Sequence, residues 1–336
     1  MSLTENPIGE ISDNLLVCLK DQLNNEDVDY EIPLAPLLGG FDTDNYHFKL
    51  KESGPVFSRP LMLKLFNSSQ NPSRAIRESV IQNALAKQEF PTATVHFTCS
   101  DKSYLGGVFI VMELLPGRAL RETPKQWPTI IGHTTALLHS LNAADVLNQL
   151  LSQGLEAEKQ RFKGVLSLLS ASSKKFPWLE ESMQWLNEHR PPEPENLVVC
   201  HNDLHAANIL MEGDKVTAVL DWSMSIIADP LVDVARMYIQ NHISSDHHQT
   251  LYEIGYLTRP AETSISKDES FQKYIEAYEN ERPIDLKHFD YYRTKNYIEA
   301  LLRAGYGDKM WSQPSILKDL INVVYEVANI RVKFPG

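Results

Sequence analysis

The sequence predicts a two-lobed α+β protein: a small sheet-containing lobe over residues 1 to about 115, then a mostly helical lobe over residues 116–336. Three observations carry this. Short apolar or alternating runs separated by Gly and Pro cluster before Gly117, as strands do. Beyond Pro128, apolar residues recur at about the 3.6-residue spacing of helices. One strand–loop–strand stretch, Val198 to Asp233, interrupts the helical part.

In chain order, Ile11, Leu15, Leu16, Val17, Leu19 and Leu23 form an amphipathic helix over 9–23. Gly39-Gly40 and the small polar residues up to Asn45 make a tight loop, before a strand in which Tyr46, Phe48 and Leu50 alternate. Exposed N–H groups in such a loop can cover phosphates, though a plain hairpin turn has the same composition. Leu61 to Phe66 is the next strand, with Lys64 inside its apolar run. Asn71-Pro72 starts a helix well, with Asn as cap and Pro at the first helical position. Along that helix Ile76, Val80 and Ala84 make one stripe, and Glu78, Ile81 and Leu85 its neighbour. Glu78 thus lies beside the apolar face within reach of Lys64; an edge-strand Lys with a solvated Glu fits the same letters. Pro91 to Thr98 is extended, Gly106-Gly107 turns the chain, and Val108 to Met112 is a buried strand. Glu113-Leu114-Leu115-Pro116-Gly117 ends it as a hinge whose backbone could pair with an adenine edge.

Helices follow at 128–141, 155–169 and 176–185, and then, past Asp233, at 234–256, 266–279, 284–304 and 316–332. His139 reads as a packed or capping histidine. Phe271, Tyr274, Tyr278, Tyr291, Tyr292, Tyr297 and Tyr306 read as packing of the helical lobe.

A chain of 336 residues with 43% hydrophobic and 23% charged residues has an ordinary globular composition with ample core material. The net charge of −12 argues against nucleic acid, whose binding rests on clustered Lys and Arg, and is compatible with a cationic small substrate. Cys18, Cys99 and Cys200 form no C-x-x-C pair, which fits a reduced, cytoplasmic protein. The N-terminus lacks the basic start and apolar core of a signal peptide. No apolar run approaches the roughly 20 residues that span a bilayer, so no membrane partner is expected.

The chemistry concentrates in the interrupting stretch. The apolar run Leu197 to Cys200 delivers His201-Asn202-Asp203-Leu204-His205-Ala206-Ala207-Asn208, and a second run, Val216 to Leu220, delivers Asp221-Trp222. Oxygen-bearing side chains at strand ends suit a hard cation and the phosphates it carries. Asp203 and Asn208 have the spacing of a kinase catalytic loop, with Asp221 where a second metal-binding Asp is expected. Asp203 would then orient and deprotonate a hydroxyl, while Asn208 and Asp221 hold Mg²⁺. Two other readings exist. His201-x-Asp203-x-His205 could bind zinc in a hydrolase, but this leaves Lys64, Glu78 and the hinge unexplained. An inactive nucleotide-binding scaffold is the other, although decay usually removes the base, the metal ligands or the Lys.

The run His201 to Leu210, then Val219-Leu220-Asp221-Trp222 and Ala228 to Ala235, resembles the aminoglycoside phosphotransferase and choline kinase-like family. The family's usual pattern is close to H-G-D-L-H-x-x-N-I-L, I-D-W-E and D-P-x-x-D-L-A. The resemblance covers most of residues 30 to 305. It implies a two-lobed protein kinase-like fold, ATP (with GTP as the alternative) and Mg²⁺, and a small-molecule hydroxyl acceptor of aminoglycoside, choline or sugar type. By position it implies Asp203 as catalytic base, and Asn208 and Asp221 as metal ligands. Gly39, Gly40, Asn45, Lys64, Glu78, Glu113 and Leu115 are the implied nucleotide contacts. His205 and Asp229 are candidates on the substrate side, although Asp229 and Asp233 read first as structural anchors. Asn202 and Ala207 stand where the family often has glycine, and Ser223 where it often has an acid. The short step from Asp221 to Asp229-Pro230 leaves no room for the long activation loop of a protein kinase.

Overall fold

The computed structural model describes residues 7–37, 43–51, 54–66, 72–122, 126–254 and 266–335. Gly39 and Gly40 of the expected phosphate loop, and the expected cap Asn71, lie outside them. The chain divides into two compact units. One is Met1–Arg118 with Asn148–Leu155 and Ile209–Ser223; the other is Ala119–Leu147 with Glu156–Asn208 and Met224–Gly336.

The first unit is built on a five-stranded antiparallel sheet in the order β1-β2-β3-β5-β4. Its strands are β1 (Tyr30–Pro36), β2 (Thr43–Leu50), β3 (Leu61–Phe66), β4 (Val95–Cys99) and β5 (Phe109–Glu113). Side chains alternate between its two faces. Phe48, Leu61, Leu63, Leu65 and Val111 meet Ile11, Leu15, Cys18 and Leu19 of helix α1 (Ile8–Leu23) in one apolar cluster. Phe66, Ile110 and Met112 meet Ala75 of helix α3 (Ser73–Ala86) in the other. Each such buried side chain contributes roughly 1.5–3 kcal/mol.

Two expectations are corrected here. Strand β2 begins at Thr43, so Asn45 belongs to the strand, opposite Lys64, and not to the preceding loop. The backbone carbonyl of Asn45 accepts from Leu37 N–H at 2.8 Å, which extends the ladder past the polar residues. On α3 the stripe of Glu78, Ile81 and Leu85 is buried, while Ile76 and Val80 are only partly covered. Short helices α2 (Gly54–Phe57) and α4 (Lys102–Leu105) sit in the connections. Gly107 admits no side chain, because a Cβ there would lie 2.2 Å from the Phe66 carbonyl oxygen. A three-stranded sheet in the order β6-β8-β9 joins Arg118–Ala119 (β6) to the hairpin of β8 (Ile209–Glu212) and β9 (Lys215–Val219). Strand β7 (Val198–Cys200) precedes them and lies in the other unit.

The second unit is mainly helical. Its helices include α5 (Trp127–His139), α7 (Phe162–Ser173), α8 (Glu180–Glu188), α9 (Leu231–Asp246), α10 (His248–Glu253), α11 (Lys267–Glu279), α12 (Phe289–Gly305) and α13 (Pro314–Ala328). Gly132 lets α5 and α11 touch backbone to backbone: a Cβ there would meet the Tyr274 carbonyl oxygen at 2.4 Å. Strand β7 pairs antiparallel with β10 (Ile226–Ala228), which the sequence reading did not anticipate. Nor did it anticipate α6 (Ala143–Ser152). The helix expected over 155–169 is instead a 3-10 turn at Ala157–Gln160 and then α7, because Arg161 is extended and bridges to Ile227. The last helix stops at Ala328, where Asn329 adopts a left-handed conformation. Tyr274, Tyr278, Tyr291, Tyr292 and Tyr297 are buried as expected, but Tyr306 is 52% exposed, its ring edge resting on Phe176. Among the described residues, no helix is long and apolar enough to cross a membrane.

Candidate active site

In the first unit, Lys64 sits on the central strand of the sheet and is buried. A lone ammonium at such a place is costly, and the fold supplies two carboxylates. Glu78 of α3, also buried, accepts from Lys64 Nζ at 2.5 Å. Asp221 lies 3.6 Å from the same nitrogen. Burial pulls the Lys64 ammonium down, but Glu78 and Asp221 more than reverse that, so its pKa is raised overall. The Glu78 carboxylate is 1% exposed and that of Asp221 48%, so the group has one inner and one solvent-facing acid.

Asp221 follows β9 with a positive φ of 62°. Next to it Trp222 is fully buried, donates Nε1–H to the Val219 carbonyl at 3.1 Å and meets Phe90 edge to face. Arg77 of α3 donates to the Ser223 carbonyl at 3.0 Å. The turn carrying Asp221 is therefore pinned on both sides. The Glu113-to-Gly117 segment is also fixed: Glu113 Oε2 accepts from Thr94 N–H at 3.1 Å, Leu114 N–H donates to Pro60, and Leu115 packs on the α3-side cluster.

In the second unit, the polar loop after β7 is tied down by Asp233 of α9. Its Oδ2 accepts from His201 N–H at 2.9 Å and its Oδ1 from Asn202 N–H at 2.5 Å. His139 Nε2 is 3.1 Å from Oδ2, and His139 Nδ1 is 2.8 Å from the Tyr278 hydroxyl, so α5, α9 and α11 meet at this carboxylate. Asn202 has φ 61°, in the left-handed region that Gly fills freely and Asn tolerates best among the others. That explains why an Asn can occupy a position where the related pattern has glycine. Asp229 does act as an anchor: its Oδ1 accepts from Leu231 N–H at 2.8 Å. Burial pushes its carboxyl up, while the bond to Leu231 pulls the other way.

The loop holds itself open in a defined form. His201, fully buried, accepts from Asp203 N–H at 3.3 Å through Nδ1. His205 likewise accepts from Ala207 N–H through Nδ1 at 3.1 Å. Both imidazoles thus brace backbone two residues ahead, which disfavours the paired-imidazole zinc reading. Asn208 donates its amide nitrogen to the Asp203 carbonyl at 3.0 Å, leaving the oxygen as the end to offer a cation. Asp203 itself is partly exposed. Its Oδ1 accepts from Gln240 Nε2 at 2.7 Å and lies 3.5 Å from Arg236 Nη2, and its Oδ2 lies 3.9 Å from His205 Nε2.

Arg236 and Gln240 were missed in the sequence. The signal was the step Asp233, Arg236, Gln240, which puts all three on neighbouring stripes of one helix. Two other His/acid groups are internally satisfied. At His139–Cys200–Asp233 the carboxylate serves the loop, and burial holds the Cys200 thiol far above its usual pKa. At His242–Asp246–Asp319, Lys267 sits 2.6 Å from Asp246 and His247 sits 2.8 Å from Asp319.

Comparison with known proteins gives the family and the fold. A profile described as "Phosphotransferase enzyme family" (APH) matches residues 33–302. Acyl-CoA dehydrogenase family member 10 of Mus musculus is 30% identical over 218 residues, 61% of this chain and 20% of that protein. Family member 11 of Homo sapiens is 31% identical over 174 residues, 48% of this chain and 22% of its own length. The chain thus spans about one fifth of these relatives. Probable choline kinase 2 of Arabidopsis thaliana is 24% identical over 180 residues, covering 52% of this chain and 50% of that protein. Among solved structures, a candidate aminoglycoside phosphotransferase from Ralstonia eutropha superposes with TM-score 0.62 at 19% identity, covering 94% of this chain and 98% of that one. A thermostable mutant of aminoglycoside phosphotransferase APH(4)-Ia, in ternary complex with ADP and hygromycin B, superposes with TM-score 0.55 at 13% identity, covering 92% and 98%. The fold is that of the protein kinase-like phosphotransferases. The match to four-fifths of the sequence, with the sheet, the helical unit and the catalytic-loop pattern in order, leads to one conclusion: the chain belongs to the phosphotransferase enzyme family.

Proposed function

We propose that the protein transfers the γ-phosphoryl group of ATP to a hydroxyl of a small molecule. The observation that supports this most is the buried Lys64 ammonium on a central strand, held by Glu78 at 2.5 Å and neighboured by the half-exposed Asp221. A cation fixed in this way suits phosphate oxygens, and most of the catalysis in phosphoryl transfer is positioning and electrostatics. In this reading residues 1–115 supply the nucleotide side, with the Gly39-Gly40 loop, Asn45, Lys64, Glu78 and the backbone from Glu113 to Leu115. Residues 116–336 supply the catalytic loop and the acceptor side.

The donor set fits Mg²⁺, since a carboxylate and an amide oxygen are hard ligands. Asp221 and Asn208 would hold it, and when bound it neutralises charge on the phosphates. Asp203 takes the proton as the acceptor oxygen forms its bond to phosphorus and the bond from the γ-phosphorus to the bridging oxygen breaks, releasing ADP. The free cysteines, all buried, suit a cytoplasmic location.

The acceptor class rests on two arguments. The net charge of −12 favours a cationic amino alcohol or aminoglycoside. The relatives named as acyl-CoA dehydrogenase family members favour a hydroxyl carried on an acyl thioester. The test is ADP formation from MgATP across aminoglycosides, choline-like alcohols, sugars and hydroxyacyl thioesters, with Asp203→Ala as control. Acceptor-dependent ADP formation abolished in Asp203→Ala supports the reading. A wild-type protein whose melting temperature MgATP never shifts, and which turns over no member of the panel, refutes it.

A further inference from the structure

We infer that Gln240, with Arg236 one turn before it on α9, is a positioning residue that fixes one oxygen of Asp203 and so presents the other to the acceptor hydroxyl. This deepens the reading of Asp203 as the base and rests on it. Gln240 Nε2 donates to Asp203 Oδ1 at 2.7 Å, and Arg236 Nη2 lies 3.5 Å from the same oxygen. Both donors address Oδ1. Among the described residues Oδ2 has only His205 Nε2, at 3.9 Å, beyond hydrogen-bond length. The carboxylate is therefore held on one side and available on the other.

A second observation gives this direction. Gln240 Oε1 is buried and has no hydrogen-bond partner among the described residues. A buried amide normally satisfies both ends, and leaving one end bare is unfavourable. Turning the amide over would put its oxygen against the Asp203 carboxylate. The side chain accordingly keeps its N–H on Asp203 and leaves its oxygen bare. A residue placed for stability alone would be better served by an apolar side chain of the same size. Gln240 is arranged for the carboxylate it touches.

The second helix position reinforces the geometry. Arg236 is buried, and its charge also bears on Glu299 of α12, whose carboxyl is held low by Lys295 and Arg236 against the effect of burial. Its guanidinium is thus a buried charge of the helical unit, 3.5 Å from Asp203 Oδ1. Asp203 meets a fixed frame, as an oriented base requires.

The experiment is steady-state kinetics on Gln240→Leu. Turnover is read as ADP formed from MgATP with the acceptor identified by the panel, or with water when none is found. The inference expects kcat to fall about 10- to 100-fold. It expects KM for ATP to stay within about threefold and the melting temperature to stay equal or rise, because the bare oxygen is gone. On an Asp203→Asn background the same substitution should have almost no further effect, since it acts through Asp203. Arg236→Lys should fall between wild type and Gln240→Leu. A Gln240→Leu protein with kcat within twofold of wild type overturns the inference. So does a kcat loss that comes with a melting temperature lowered by several degrees. Wild-type ADP formation that survives Asp203→Ala overturns the phosphotransfer reading itself. Formation lost in Asp203→Ala but retained in Gln240→Leu overturns only the positioning role.

Discussion

Replacing Asp233 by Asn tests how the 201–208 loop is held. The carboxylate serves three donors: His201 N–H and His139 on Oδ2, and Asn202 N–H on Oδ1. An amide has one acceptor oxygen. With that oxygen toward Asn202, the NH₂ faces His201 N–H, while His139 can shift its proton and accept. One buried backbone N–H is then orphaned, at about 1–3 kcal/mol, and a charge-assisted bond worth about 1.5–3 kcal/mol is lost. Together the expected destabilisation is about 3 kcal/mol. With a urea m-value of about 3 kcal/mol/M, the unfolding midpoint falls by about 1 M. ADP formation measured in the folded range should fall more than tenfold, because the N–H of His201, two residues before Asp203, loses the acceptor that holds it. A midpoint shift below about 0.2 M with full turnover would refute the claim that Asp233 frames the loop.

Glu78→Ala should leave Lys64 buried without its inner partner and cost about 3–5 kcal/mol, read by urea unfolding, with loss of the MgATP-induced melting shift; Glu78→Gln should fold better yet bind nucleotide poorly. A thiol reagent at pH 8 should label none of the three cysteines in the native protein and all three after denaturation, since all are buried and burial pushes Cys18 up to about 12. Rapid labelling of one of them in the native state would contradict the packing. Glu299 is lowered to about 2, because Lys295 at 2.6 Å and Arg236 outweigh the opposing effect of burial. A lowered carboxyl adds stability above its unfolded value of about 4.3, and that contribution is lost as pH falls toward about 2. The stability gap between wild type and Glu299→Gln should therefore narrow over that window, and a gap unchanged from pH 6 to pH 3 would count against it.

Much of the candidate site could be read from the sequence because its proposed parts are local in it. Asp203, Asn208 and Asp221 lie within one strand–loop–strand stretch, and strand ends leave polar side chains where the apolar runs stop. Lys64 was legible as an anomaly, a charge in an apolar strand; its partner followed from helix periodicity, although periodicity alone favoured the Ile76 stripe over the buried one. Arg236 and Gln240 were hard to read because helix α9 is buried nearly all round, so the polar step they share with Asp233 does not stand out as a solvent-facing side. Strand β10 is three residues long, too short for alternation to reveal it. The break at Arg161 depends on a bridge to Ile227, a partner far away in sequence.

The place of Lys64 on the middle strand has a consequence for how the sheet assembles. Its neighbours Leu63 and Leu65 point to the α1 face, while Lys64 points with Phe66 to the α3 face. If β3 slid by one residue against β2 and β5, every side chain would change faces. The ammonium would enter the apolar cluster under α1, away from Glu78, and a leucine would take its place beside that carboxylate. Chains that pair out of register are therefore heavily penalised at the residue proposed to meet phosphate. The same lysine that we propose equips the sheet for nucleotide makes a misaligned sheet too unstable to persist.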